Sequence, residues 1–298
     1  RSLIPASAGM THRPLRSAKM FPRTEPAVWR SAFEGDSLLS CTIALSGKGG
    51  TGKTTLAVCL IRYLVEERRG TVLAIDADPA MNLPSGLGMT VEQTVGQIRE
   101  DLRELVQAAG SMSATALPGG MTKQQYLDYQ IQRALVETDR VDLLAMGRPE
   151  GPGCYCAANQ MLRVIIDRLS SAYDYVVIDN EAGMEHLSRR TTRDVDRLVL
   201  VSDPSLRGLA AARQMAHLAA QLDIRIGKVY LVMNRVRLPL AKALADAVAQ
   251  TGLELLDVVP EDLSLAEFET TGRPLIHLPT DSPVYQAVRQ MAPKLLEL

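Results

Sequence analysis

A chain of 298 residues is long enough for one large α/β domain or two small ones with a sizeable buried core, which excludes a disulfide-stapled miniprotein. Its 33 Lys and Arg against 34 Asp and Glu leave a formal net charge of −1, so no global basic field exists to hold nucleic acid or anionic lipid. Apolar residues make up 46% but aromatics only 4%, a composition that suits helices packed on a buried parallel sheet and disfavours an all-β sandwich.

Residues 1–37 hold six Lys/Arg, three acids and four of the 16 prolines without helical or strand periodicity, and read as a disordered leader. One domain is expected over 38–298. There, short aliphatic runs alternate with longer amphipathic stretches, the βαβ pattern of an α/β fold: a mainly parallel sheet with helices on both faces. Strands are predicted at 39–45, 72–76, 141–146, 174–179, 197–202, 228–233 and 254–258, and helices at 53–68, 122–138, 156–170, 205–222, 239–251 and 284–297. In 205–222, Ser205 is the expected cap, and Leu206, Leu209, Ala210, Met215 and Leu218 the expected core face. Residues 80–140 are the least regular, with Gly86, Gly88, Gly110, Gly119 and Gly120 interrupting the pattern, so loops or a flexible insertion are expected there.

Cys41, Cys59, Cys154 and Cys156 are too few and too unevenly spaced for a disulfide framework. The apolar runs Val176-Val177-Ile178 and Leu198-Val199-Leu200-Val201 fall far short of the ~20 residues that span a membrane, so a soluble, cytoplasmic protein is expected.

After the first strand, Ser46-Gly47-Lys48-Gly49-Gly50-Thr51-Gly52-Lys53-Thr54-Thr55 satisfies G-x-x-x-x-G-K-[ST] between a strand and a helix, where that motif cradles phosphate. Gly47, Gly49, Gly50 and Gly52 let backbone N–H groups converge on a phosphate, and the helix predicted from residue 53, with Thr55 in its first turn, points its positive end at it. Lys53 can reach the β- and γ-phosphates, and Thr54 can ligate Mg²⁺.

Lys48 is not required by the ordinary motif, and Lys48-Gly49-Gly50-Thr51-Gly52-Lys53-Thr54-Thr55 resembles the deviant P-loop of the MinD/ParA/nitrogenase-iron-protein superfamily. The resemblance implies ATPase activity and a homodimer in which Lys48 reaches the partner's nucleotide, as an arginine finger supplied in trans would. It makes Asp78, in Ala74-Ile75-Asp76-Ala77-Asp78-Pro79, the residue that positions the attacking water. It makes Asp179-Asn180-Glu181-Ala182-Gly183 a Walker B strand end running into a switch, with Asp179 serving Mg²⁺ and Gly183 admitting the backbone to the γ-phosphate. By the same similarity Asn234, after Val232-Met233, meets the adenine base, and Pro260 and Glu261 belong to the segment whose backbone reads its edge.

Cys154 and Cys156 follow Gly151-Pro152-Gly153 and precede a predicted helix, a setting that favours thiolate. One C-x-C offers a metal two sulfurs, and a symmetric dimer would supply four, tetrahedral for Zn²⁺ or square-planar for Ni²⁺. Cys41 and Cys59 read as small core residues, and His12, His217 and His277 as structural or surface ones. The run Gly147-Arg148-Pro149-Glu150-Gly151-Pro152-Gly153-Cys154-Tyr155-Cys156, together with Asp179-Asn180-Glu181-Ala182-Gly183-Met184-Glu185-His186-Leu187-Ser188-Arg189-Arg190, resembles the CooC-type maturation ATPases of nickel carbon monoxide dehydrogenase over 39–298. That resemblance implies that Cys154 and Cys156 bind Ni²⁺ or Zn²⁺ at the dimer interface. It further implies that Lys48, Lys53, Thr54, Asp78 and Asp179 serve ATP, and that the client is the dehydrogenase or a relative such as acetyl-CoA synthase. Glu185 and His186 are expected to pack or pair locally, and Arg189 and Arg190 to form a solvated face.

A ParA/MinD-like positioning ATPase would need a basic DNA face or a basic, apolar terminal helix. Pro283–Leu298 instead carries Val284, Val288, Met291, Leu295 and Leu296 with only Arg289 and Lys294 as cations, so neither a nucleic-acid nor a membrane partner is expected. A nitrogenase-iron-protein-like reductase would hold an interfacial iron–sulfur cluster, but that family's cluster cysteines are widely separated rather than C-x-C.

Overall fold

The computed structural model describes residues 40–108, 120–147, 164, 166–182, 194–221, 225–237, 239 and 241–297. The predicted leader, Cys154, Cys156, Gly183, Glu185, His186, Arg189 and Arg190 lie outside the described residues.

Seven strands form one sheet: β1 (Cys41–Gly47), β2 (Val72–Ala77), β3 (Val141–Ala145), β4 (Tyr175–Ala182), β5 (Asp194–Ser202), β6 (Arg225–Val236) and β7 (Glu254–Pro260). Their order is β3-β2-β4-β1-β5-β6-β7, and every neighbouring pair is parallel. All seven predicted strands are present. Parallel strands require crossovers, which the helices α1 (Lys53–Glu66), α2 (Asn82–Leu87), α3 (Val95–Ala108), α4 (Lys123–Ala134), α5 (Leu206–Ala219), α6 (Lys242–Thr251), α7 (Leu263–Thr271) and α8 (Pro283–Leu296) help to supply.

Alternation along the strands sends neighbouring side chains to opposite faces, and both faces are covered. Ile43 and Leu45 of β1, Ala74 of β2 and Val177 of β4 pack with Leu56, Leu60 and Leu64 of α1, Leu83 of α2, Phe268 of α7 and Val288 and Met291 of α8. Ala44, Leu73, Ile75 and Ile178 pack on the other side with Ile98 and Leu102 of α3, Leu127 and Ile131 of α4, Leu209 of α5 and Val248 of α6. The expected α/β sheet with helices on both faces is the observed fold. Cys59 is part of the first core and its thiol is pushed up to about 12 by burial, while Cys41 is half-buried. Among the described residues, no helix is long and apolar enough to cross a membrane.

Three expectations need correction. The predicted loops of 80–140 contain two helices, α2 and α3. Gly86 lies inside α2 because a Cβ there would stand 2.8 Å from Val58 Cγ2 on α1, and Gly88 ends the helix at φ +70°, so these glycines mark close packing and a C-cap. A capping box starts α3: Gln97 N donates to Thr94 Oγ1 (3.2 Å) and Thr94 N donates to Gln97 Oε1 (2.8 Å).

The second correction is α7, a helix absent from the predicted elements; Asp262 Oδ1 accepts from Ser264 N (2.9 Å) at its start. The third concerns the face of α5. Ser205 does cap it, accepting from Gly208 N (3.0 Å), and Leu209 is buried, but Leu206 and Leu218 are 61% and 42% exposed. The buried stripe runs through Gly208, Leu209, Ala212 and Ala219, because small residues let the helix lie close to the sheet. Of the predicted 156–170 helix, residue 164 and residues 166–170 are described, and they are helical.

Candidate functional site

In an open parallel sheet, ligands collect at the carboxyl ends of the strands where the connections change direction. Here β1 sits between β4 and β5, with the chain turning to one side for β2 and to the other for β5. The register sets Asp179 opposite both Leu45 of β1 and Asp76 of β2, so the ends of three strands are level. A cleft of about 630 Å³ opens over them, lined by Gly49, Gly50, Gly52, Lys53, Thr54 and Thr55 from the loop, with Asp78 and Glu181 beyond.

The loop holds its own shape. The carbonyl of Lys48 accepts from Thr51 Oγ1 (2.9 Å), Thr51 N (3.4 Å) and Lys53 Nζ (3.3 Å), and Lys48 itself is exposed. Gly50 and Gly52 take φ of +76° and +91°, conformations that L side chains rarely adopt. Gly52 is the N-cap of α1 and makes no side-chain cap, so the first-turn amides of α1 remain available to an anion in the cleft. Burial lowers the Lys53 ammonium from its ordinary value, while Asp179, Asp78 and Glu181 draw it back up. A lysine this buried is a ready partner for the phosphate charge of a nucleotide.

Asp179 is 1% exposed, and its Oδ2 accepts from Thr54 Oγ1 at 2.6 Å. Among the described residues its Oδ1 is buried without a hydrogen-bond partner. Burial pushes its carboxyl up to about 6, with Thr54 and Lys53 opposing the rise and Asp78 adding to it. An oxygen-only pair with one orphaned carboxylate oxygen is the donor chemistry of a hard divalent cation, so Thr54 and Asp179 fit Mg²⁺. When bound there, Mg²⁺ would neutralise charge on the β- and γ-phosphate oxygens.

Of the paired aspartates after β2, Asp78 faces the cleft and its Oδ1 accepts from Ala80 N (2.9 Å). Asp76, to which the sequence reading gave no role, is fully buried and accepts from Asp78 N (2.9 Å) and Leu83 N (3.1 Å), so it fixes the loop that carries Asp78. Burial raises its carboxyl to about 7. Asn180 performs a similar task between strands, donating from Nδ2 to Leu45 O (3.0 Å).

Beyond the phosphate loop, the cleft has a second wall at the end of β6. Asn234 is 4% exposed, and its Nδ2 donates to Thr51 O (2.8 Å), so this amide is joined to the back of the phosphate loop. Pro260 closes β7 and exposed Glu261 is held by Arg237 (2.6 and 3.3 Å); neither residue lines the cleft. That wall is made by Arg235, Phe268, Gly272, Arg273 and Leu275, which no motif in the sequence announces. Arg235 has φ of +60°, uncommon for a side chain of its size, and the Arg273 guanidinium lies 4.2 Å over the Phe268 ring.

Residues 42–275 match the CobQ/CobB/MinD/ParA nucleotide binding domain family. The chain belongs to this family. It is a P-loop ATPase of the MinD/ParA type. An uncharacterized ATP-binding protein of Methanocaldococcus jannaschii is 44% identical to this ATPase over 254 residues, which cover 85% of this chain and 98% of that one. The carbon monoxide dehydrogenase accessory protein CooC of Rhodospirillum rubrum is 31% identical over 235 residues, covering 77% and 87%. The septum site-determining protein MinD of Pyrococcus horikoshii, solved with Mg-ADP, shares the fold at a TM-score of 0.60 and 23% identity, covering 87% of this ATPase and 97% of MinD.

Proposed function

We propose that this ATPase is a nucleotide-gated metallochaperone that assists nickel insertion into carbon monoxide dehydrogenase or a relative such as acetyl-CoA synthase. The observation that carries the reading is the C-x-C pair Cys154 and Cys156 in a chain 31% identical to CooC over 87% of that protein's length. Two protomers close with ATP bound, and the four thiolates of their Cys154 and Cys156 share one Ni²⁺ or Zn²⁺ as cargo. Lys48 suits the role of a lysine supplied in trans, because its carbonyl is tied inward and its side chain is exposed. Lys53 leaves the Lys48 carbonyl for the phosphates, and Asp78, on the loop fixed by Asp76, orients the attacking water. Phosphate release then frees the segment after Asp179, with Gly183 the residue whose amide approaches the γ-phosphate, and the dimer loosens its hold on the metal.

Such gating requires metal and nucleotide to favour the same closed dimer, and the coupling must be reciprocal. The test is titration of Ni²⁺ and Zn²⁺ with and without ATP, with sulfur ligation followed by X-ray absorption and oligomeric state by light scattering. One metal per dimer, bound more tightly with ATP and lost in the Cys154→Ser, Cys156→Ser double variant, is the expected result. Metal stoichiometry and dimerisation that ignore ATP would overturn it.

A further inference from the structure

We infer that Asp262 is a positioning residue for the nucleoside side of the cleft: it staples residues 262–284 into a closed loop, and that loop carries the wall of Phe268, Gly272, Arg273 and Leu275. The inference rests on the phosphate-loop reading of residues 47–54 and is independent of the metal reading.

Asp262 is buried, and each of its carboxylate oxygens accepts two hydrogen bonds. Oδ1 accepts from Ser264 N (2.9 Å) and Ser264 Oγ (2.6 Å), which caps α7. Oδ2 accepts from Ser282 Oγ (2.6 Å) and Val284 N (3.3 Å) at the start of α8. The bonds on Oδ2 join positions 20 and 22 residues apart, so one side chain fixes the starts of both helices. Ser282 is buried as well and caps α8 by accepting from Tyr285 N (3.4 Å). A second tie joins the loop to the helix that follows the phosphate loop: buried Arg62 of α1 donates to Leu278 O, and its guanidinium lies 4.1 Å over the Tyr285 ring.

The wall lies between these ties. Of the surfaces that line the cleft, the loop with Lys53 takes the phosphates, and Asp78 and Glu181 add carboxylates beside it. The α7 wall offers an aromatic ring, an open glycine and a guanidinium, a set whose chemistry suits a sugar and base. Phe268 anchors the middle of the loop in the core, and its carbonyl accepts from Arg273 N (3.0 Å), but Gly272 and Arg273 are exposed. The place of that rim is therefore set by how the loop is closed. A loop closed in advance spares an incoming ligand the cost of ordering it, which is how preorganisation gains affinity. Asp262 does not line the cleft, so it acts on the ligand only through α7.

The experiment measures binding of ATP and of tripolyphosphate to the full chain by calorimetry with Mg²⁺ present, alongside melting temperature, for the parent, Asp262→Ala, Asp262→Asn and Ser282→Ala. Asp262→Asn offers one oxygen where the carboxylate offers two, so it keeps one pair of ties and weakens the other. Ser282→Ala leaves the α7 cap whole and removes a tie to α8. The expected result is that Asp262→Ala weakens ATP by about three- to tenfold while tripolyphosphate binds as in the parent. Asp262→Asn and Ser282→Ala shift the ATP-to-tripolyphosphate ratio in the same direction by less. A lowered melting temperature with that ratio unchanged, equal weakening of both ligands, or failure of all three variants to fold overturns the inference, since each is what a purely structural tie would give. A parent protein that binds no tripolyphosphate would instead overturn the phosphate-loop reading itself.

Discussion

The two ends of the cleft are built on different physical terms. At the phosphate end, Lys53, Asp76, Asp179 and Asn180 are buried, and each is tied by short hydrogen bonds to backbone or to the side chain that it must position. At the far end, Arg235 and Arg273 are exposed and the Arg237–Glu261 pair stands in solvent, while Phe268 belongs to the core and Leu275 packs against it. Buried charge is sensitive to every partner it has, whereas exposed charge is screened and easily replaced. One end has therefore little freedom in sequence and the other has much.

Substitutions at the two ends should separate accordingly. The largest effect is expected from Lys48→Ala, which leaves the loop's backbone ties in place: ATP binding persists while steady-state turnover falls by roughly 10³-fold, the scale of a cation supplied in trans. Equal loss of binding and turnover would place Lys48 within its own protomer's site. Asp179→Asn is expected to weaken Mg²⁺ by roughly 10- to 100-fold, read as a rightward shift in the Mg²⁺ dependence of ATP hydrolysis.

A smaller effect concerns pH. Asp76 and Asp179 are harder to ionise in the folded chain, at about 7 and about 6, than an unfolded aspartate at about 4. The folded state binds more protons than the unfolded state in that window, so their contribution to stability is largest at low pH and declines as pH rises from about 4 to about 7. In nucleotide-free protein, the melting temperature should carry this downward component between about pH 4 and 7, and Asp179→Asn should flatten the part between about pH 4 and 6. The same ionisation favours Mg²⁺, so ATP-dependent stabilisation should grow with pH through that range. Least of all, Arg237→Ala should leave both the melting temperature and ATP affinity unaltered, because its partner Glu261 is exposed and neither lines the cleft. A loss comparable to that of Asp179→Asn would dissolve the distinction between the two ends.

The same contrast explains what could be read in advance. The phosphate loop was legible because its chemistry is local: glycines, a lysine and a hydroxyl within one turn between strand and helix. The strands were legible because both faces of a parallel sheet are buried and their runs are nearly continuous in Val, Ile and Leu. Helix α3 is harder to read: Thr94-Val95-Gly96-Gln97 carries a capping-box spacing, but Gly86, Gly88 and Gly110 on either side interrupt the pattern. Phe268 and Arg273 were missed for a different reason: α7 has no marked apolar face of its own, so no periodicity drew attention to it.

By itself the sequence determined a parallel α/β sheet, a phosphate-binding loop after its first strand and membership of the MinD/ParA-type ATPases, since each of these is written in neighbouring residues or in short continuous aliphatic runs. Only the tertiary structure decided that Asp179 meets Thr54 across 125 positions and that Asn234 donates to Thr51 O across 183. Those contacts depend on strand order and register, which bring distant strand ends level with one another, and register is a property of the assembled sheet rather than of any one segment.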